Sequence, residues 1–383
     1  MPKTILITAA EPSGDRQGGA LMAELNRRDP NLRWVGVGGP QMTAQRLTSA
    51  FPLADVAVMG LAEVVPAIPR ILHRLKQLQT LAHHTKPDLI ITIDGQDFSK
   101  RLAQRLKHLG VPHVHYVAPK VWAWRQGRVR QLKQLYTHLL CNLPFEAPWF
   151  AAAGLPTTYV GHPMVTQLAT VPRPAHRALQ LALLPGSRRS ELTRHWPTFL
   201  ATYRRLRQLI PALTGVVVLP SEAAATQCRT LAPWGDEEGL SMVTGEPRFA
   251  ALAQATAALA KSGTNNLEMA LLQLPAVVCY RMHPLSFWLA KRLVKVTHVS
   301  LPNLILNPPG QAGQGIVYPE FLQAAAKPEN LARALYPLLT NAKAAARQQA
   351  KLAEVTKAMA TSKPAAVLAA DVVETYLAPL AKP

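Results

Sequence analysis

Thr4-Ile5-Leu6-Ile7-Thr8-Ala9-Ala10-Glu11-Pro12-Ser13-Gly14-Asp15 joins a β-rich apolar run to a tight polar turn, and a helical pattern follows. A run that is apolar on both faces predicts a strand buried in a parallel sheet with helices on both sides. Similar runs recur at 34–37, 89–93, 111–116, 139–141 and 158–160, with helical spacing between most of them. The alternation stalls over the Pro-rich stretch 163–174 and restarts at 181–184, 215–219, 240–243, 257–260 and 276–279. Strands alternating with helices argue for doubly wound α/β domains. The expected map is an N-terminal α/β domain over 1–168, a second over 175–340, and a helical tail over 341–383. In open α/β sheets ligands bind beyond the carboxyl ends of the strands, so the loops after strands are where chemistry is expected. Two such sheets facing each other would leave a cleft.

The 383 residues are 49% hydrophobic and 17% charged, which excludes a disordered chain. The 33 prolines are spread along the chain, which excludes collagen-like tracts. Cys141, Cys228 and Cys279 are far apart and form no C-x-x-C pair, so neither a disulfide framework nor a thiolate zinc site is indicated. The apolar N-terminal run is stopped by Glu11, too early for a signal peptide, and no run approaches the length of a membrane span. A cytosolic protein, soluble or peripherally bound, is the expectation.

With 42 Lys and Arg against 22 Asp and Glu, the net charge of +20 calls for an anionic partner or surface. The charge is clustered. Between Asp97 and Glu146 there is no acidic residue but nine basic ones, and 269–319 is a second acid-free stretch. Within 65–84, Ile68, Ile71, Leu72, Leu75 and Leu78 recur at helical spacing beside Arg70, His73, Arg74 and Lys76. This pattern reads first as a surface helix packed on the core, with a basic amphipathic helix at a membrane surface as the alternative.

The loops carry the candidate chemistry. Glu11, Ser13, Gly14 and Asp15 open a helix whose first amides suit an anion or a sugar hydroxyl; the same residues also make a good turn and cap. Asp94 and Asp97, three apart after a strand, suit a base and its orienter, or Asp97 caps a helix starting at Phe98. Trp122, Trp124, Arg125 and Arg128 gather aromatics and cations in one loop, as a groove for a phosphorylated ligand or a membrane interface requires. Gly186, Ser187 and Arg188 fit an anion site. Ser262, Gly263 and Thr264 lead into a helix suited to a diphosphate, where Glu268 fits two ribose hydroxyls or forms a capping pair with Asn265. His162 is set in a tight polar loop between Gly161 and Pro163.

In order along the chain, these loops resemble the lipid-A-disaccharide synthase family of inverting glycosyltransferases, with the GT-B fold of two Rossmann-like domains. The matching stretches run from residue 5 to about 323. Besides the loops above they include 36–42, 58–60 with Glu63, 143–146, 160–163, Glu191, 280–281 and 300–303, and the run 116–128 is the most specific. Ala10, Gln96, Ser99 and Ala118 depart from the family pattern. The resemblance implies that UDP-2,3-diacylglucosamine donates its sugar to the 6-hydroxyl of 2,3-diacylglucosamine 1-phosphate in a β-1,6 linkage, releasing UDP. It further implies that Asp97 is the base, that Met59 belongs with the acceptor residues, and that Arg188, Glu268, Tyr280 and Asn303 belong to the UDP site. No cofactor and no metal are implied, because GT-B enzymes in general stabilise the leaving diphosphate with Arg and helix amides. An acidic inner-leaflet surface is the expected partner, no nucleic acid is expected, and a homodimer stays open. The rival readings are another GT-B enzyme acting on UDP-N-acetylglucosamine, transferase or epimerase, and, more remotely, a basic nucleic-acid-binding protein.

Overall fold

The computed structural model describes every residue except 1, 58–60, 124, 125, 175, 176, 236, 237, 246, 285, 286, 289–291, 293–295 and 379–383, and for 61–65 and 126 the backbone alone. The chain divides into two compact units, Met1–Pro163 with Thr361–Pro383, and Met164–Ala360.

The first unit runs β1 (Thr4–Ala9), α1 (Pro12–Arg28), β2 (Arg33–Val37), α2 (Pro40–Thr43), α3 (Leu61–Thr85), β3 (Leu89–Ile93), α4 (Gln96–Leu106), β4 (His113–Tyr116), α5 (Val129–Lys133), β5 (His138–Cys141), α6 (Glu146–Ala152) and β6 (Thr157–Tyr159). Its six strands lie in the order β2-β1-β3-β4-β5-β6 and pair in parallel throughout. β1 alternates as a doubly covered strand must. Ile5, Ile7 and Ala9 join Leu21, Met22 and Leu25 of α1, while Leu6 and Ala10 pack with Leu75 and Leu78 of α3 and Leu102 of α4. Each large side chain so buried contributes about 1.5–3 kcal/mol.

The second unit opens with α7 (Pro163–Ala169), whose first residue closes the other unit. It continues with β7 (Ala178–Leu184), α8 (Arg189–Leu209), β8 (Thr214–Leu219), α9 (Glu222–Leu231), β9 (Leu240–Thr244), α10 (Arg248–Gln254), β10 (Ala255–Lys261), α11 (Asn265–Leu271), β11 (Ala276–Tyr280), α12 (Leu301–Leu306), β12 (Glu320–Leu322), α13 (Pro328–Thr340) and α14 (Ala342–Ala358). The strand order is β12-β11-β10-β7-β8-β9, again all parallel. Leu181 and Leu183 of β7 face a core built with Leu192, Trp196 and Phe199 of α8 and Leu331 and Leu335 of α13.

Two features differ from the expected map. β12 is a three-residue edge strand, too short for its pattern to register. The residues of the expected tail divide. α14 stays with the second unit, where Gln348 bonds both the amide and the carbonyl of Ala276. The last helix, α15 (Ala365–Leu377), packs on α1 of the first unit, where Arg28 meets Asp371 at 2.8 Å and Glu374 at 2.7 Å, and it also reaches β5, where Tyr376 lies 3.0 Å from His138.

Candidate active site

In the first sheet β1 lies between β2 and β3, so the chain's winding reverses there and the loops after β1 and β3 come together at the switch point. The Ser13 hydroxyl donates to Asp94 Oδ2 across that junction at 3.4 Å. Asp94 and Gly95 have φ of +55° and +53°, and the Gly95 N–H donates to Asp94 Oδ1 at 2.9 Å. A Cβ on Gly95 would come within 2.2 Å of the Ala10 Cβ, so only glycine lets the two loops approach this closely. The Ser99 hydroxyl donates to the Asp94 carbonyl at 2.6 Å and fixes the turn from below.

Asp97 is not the cap that one reading of the sequence allowed. α4 begins at Gln96 with Gly95 as its N-cap residue, which places Asp97 inside the first turn. Its carboxylate is exposed and, among the described residues, makes no hydrogen bond or ion pair. An exposed carboxylate on the first turn of a helix that follows a switch-point strand has the chemistry of a proton acceptor.

The structure gives other expected residues different work. Asp15 is buried and accepts the N–H groups of Gly39 at 2.7 Å, Gln41 at 3.0 Å and Met42 at 3.1 Å, so it ties α1 to α2. Gly14 sits buried against the Ile93 carbonyl, and Glu11 is the N-cap residue of α1. Trp122, expected in a ligand groove, is in the core. Its indole N–H donates to Glu146 Oε1 at 2.9 Å and its ring meets Phe145 edge-on. Burial pushes the Glu146 carboxyl up to about 7, although Trp122, the Leu143 amide and the Lys120 charge favour its ionised form. His162 is pushed down to about 4 by burial and by the Lys120 charge. Arg128 is half-buried at the end of the same loop. Met59, Trp124 and Arg125 lie outside the described residues.

The second sheet repeats the arrangement. β7 lies between β8 and β10, which brings the loop after β7 next to the loop after β10. Gly186 has φ of +129°, and Glu191, one turn into α8, accepts the Ser187 N–H at 3.0 Å and the Arg188 N–H at 3.4 Å. Its other oxygen takes the Lys261 ammonium at 3.0 Å, so one carboxylate links both loops. Burial raises the Glu191 pKa, but the Ser187 amide and Lys261 outweigh it and hold the carboxyl below its ordinary value. His195 adds a second tie. Its Nδ1 lies 2.8 Å from the Glu191 carbonyl and so carries the proton, and Nε2 accepts the Arg281 N–H at 3.0 Å. Its ring stacks on Tyr280 at 5.8 Å, and burial keeps it neutral. Lys261 and His195 carried no signal in the sequence, since neither lies in a loop motif.

Arg188 is exposed at the mouth of this loop. Beyond β10 the Ser262 hydroxyl donates to the Val299 carbonyl at 2.6 Å, and Asn266 accepts the Gly263 N–H at 3.1 Å. Thr264 is the exposed N-cap residue of α11. The capping alternative for Asn265 is not met, since α11 takes Thr264 as its N-cap residue with no side-chain cap bond, and Glu268 Oε1 meets Arg248 at 3.4 Å. Asn303, expected in the UDP site, is fully buried. Its Oδ1 accepts the Val317 and Tyr318 N–H groups at 2.8 and 2.9 Å, and its Nδ2 donates to the Tyr318 carbonyl and to Glu320. Asn303 therefore shapes the wall behind the loop. Among the described residues no group of three His, Cys, Asp or Glu side chains is arranged to hold a metal, and no helix is long and apolar enough to cross a membrane.

A family model described as lipid-A-disaccharide synthetase matches residues 5–370. The lipid-A-disaccharide synthase of Rhodospirillum centenum is 41% identical over 368 residues, 93% of this chain and 90% of that protein. Among solved structures, S. aureus MnaA with UDP superposes with a TM-score of 0.64 at 12% identity over 100% of this chain and 98% of that one. The calicheamicin glycosyltransferase gives 0.62 at 14% identity over 99% and 100%. These structural likenesses carry the GT-B fold.

Proposed function

The chain belongs to the lipid-A-disaccharide synthase family, a family of glycosyltransferases, and on that premise we propose how its two units divide the reaction. The first unit holds 2,3-diacylglucosamine 1-phosphate with its 6-hydroxyl at Asp97. The second holds UDP-2,3-diacylglucosamine by its nucleotide. Asp97 takes the hydroxyl proton as the oxygen attacks the anomeric carbon from the face opposite the diphosphate. The bond from that carbon to the diphosphate oxygen breaks, UDP leaves, and the new linkage is β-1,6. Charge growing on the diphosphate meets the Arg188 guanidinium and the Thr264 N–H at the start of α11, in loops whose shape is fixed because Glu191 accepts the Ser187 and Arg188 amides and Asn266 accepts the Gly263 amide. Glu268, steadied by Arg248, receives ribose hydroxyls. Ser13 and Asp94 set the turn that carries the base.

The observation that carries this reading is that each sheet brings its motif loops to its own switch point, with a carboxylate free of described partners in one unit and an anion-suited loop pair in the other. The substrates are amphiphiles, and α3 suits their surface. Ile68 and Leu72 are exposed at 44% and 40% beside exposed Arg70, His73 and Lys76. At about 1 kcal/mol per near-surface Lys or Arg, Arg70 and Lys76 add attraction to an acidic leaflet. Purified protein given both acylated substrates should release UDP and bind acidic vesicles in flotation. Absence of UDP release, or turnover of unacylated UDP-N-acetylglucosamine alone, would overturn the reading. A steeply salt-dependent nucleic-acid shift without vesicle binding would favour the nucleic-acid alternative.

A further inference from the structure

Asp97, Arg101, Gln104 and Arg105 follow the i, i+4, i+7, i+8 spacing of a single face of α4. Arg101, Gln104 and Arg105 line one wall of a cavity of about 300 Å³, and Leu72 and Leu75 of α3 line the other. Leu75 is fully buried and forms an apolar floor, while Leu72 is exposed at the rim. Arg105 is half-buried, and its guanidinium donates to Gln79 at 3.2 Å, which holds it toward α3. Among the described residues Arg101 has neither hydrogen bond nor ion pair. Carboxylates that could neutralise the cavity are scarce. After Asp97 the chain carries no acid until Glu146, α3 has only Glu63 in its first turn, and Asp55 is already held by Arg74 at 2.6 Å. Two guanidiniums beside an amide and a leucine rim match an anionic head group on an apolar body, and guanidinium forks suit phosphate oxygens.

Position makes the assignment more specific. Four residues of α-helix rise about 6 Å, so the cavity begins one turn from Asp97 on the same side of the helix. That step is comparable to the span of a pyranose between its 6-oxygen and a phosphate on C1. We propose that Arg101 and Arg105, with Gln104, bind the phosphate monoester of the acceptor sugar and thereby set its 6-hydroxyl at Asp97. The site selects acceptors that carry an anomeric phosphate, and its apolar rim leaves their acyl chains beside Ile68 and Leu72. The proposal rests on the glycosyl-transfer reading and extends it to acceptor specificity.

The test is steady-state kinetics in detergent micelles with 2,3-diacylglucosamine 1-phosphate and with the same lipid lacking the phosphate, for wild type, Arg101→Ala/Arg105→Ala and Arg101→Lys/Arg105→Lys. Matched melting curves check that the variants fold. Wild type should favour the phosphorylated acceptor. The double alanine variant should raise its KM at least about tenfold, as loss of charge-assisted hydrogen bonds implies, with kcat less affected. The ratio of kcat/KM between the two acceptors should fall toward one, and the lysine pair should recover part of it. An unaltered ratio in the alanine variant overturns the proposal. A variant that loses only affinity for phosphatidylglycerol vesicles, with acceptor KM unmoved, also overturns it and reassigns the cavity to a phospholipid head group. Wild type that transfers to both acceptors equally rejects the pocket alone, whereas wild type that transfers to neither rejects the functional reading beneath it.

Discussion

Replacing Glu191 with Gln changes one atom and tests the joint between the two loops of the second unit. The amide keeps an acceptor for the Ser187 N–H but leaves the Lys261 ammonium, whose side chain is 15% exposed, facing a neutral group. A hydrogen bond to a charged partner is worth about 1.5–3 kcal/mol, and that is the expected loss. At about 2–4 °C per kcal/mol for a unit of this size, the second unit should melt roughly 3–12 °C lower. Scanning calorimetry of wild type, Glu191→Gln, Lys261→Met and the double variant measures the coupling, expected at 1 kcal/mol or more by the order of contacting pairs, ~1–2 kcal/mol. The pH dependence has a fixed sign. The folded carboxyl lies below its ordinary value, so its contribution is present above about 4.5 and is lost as pH falls through the folded pKa. The gap between wild type and Glu191→Gln should therefore close on acidification. A variant melting with wild type at pH 7, or a coupling near zero, would refute the account of Glu191 as the link.

Two further predictions concern the first unit. Burial pushes His113 down to about 3, with the neighbouring His115 charge adding to it, and pushes His115 down to about 4. Both rings share the Thr92 hydroxyl and pack on Tyr136, and both are neutral when folded. The unfolded chain binds these protons from about pH 6.5 downward, so stability falls with pH across that window, by about 2 kcal/mol per ring at pH 5. Urea unfolding of His115→Gln at pH 7 and pH 5 should show its drop reduced by about that amount, and an equal drop would contradict the burial argument. Trp122→Phe removes the indole donor to Glu146 and should cost about 1–3 kcal/mol in urea while acceptor and donor KM stay within twofold. A large KM change at unaltered stability would place the indole on a ligand.

The alternation that begins with β1 was legible because a doubly covered strand is apolar throughout, and the expected run 89–93 coincides with β3. β12 was not, since its pairing with β11 is fixed by neighbours rather than by its own pattern. The return of α15 to the first unit depends on Arg28, more than 300 residues away along the chain, and no local periodicity encodes that partner. In the site, loop positions after strands were readable, but side-chain direction was not. An indole or an amide suits a ligand and a buried partner alike, and Glu146 decides for Trp122 as Val317 and Tyr318 do for Asn303. Asp97 is the reverse case, a residue whose capping alternative disappears once α4 is seen to start at Gln96.

Asp97→Asn tests the central claim most directly. With both acylated substrates, and with melting temperature and UDP affinity matched to wild type, UDP release should fall at least about 10²-fold, because the amide cannot take the hydroxyl proton. Turnover within a few-fold of wild type would contradict the assignment of the base and with it the proposed chemistry of the first unit.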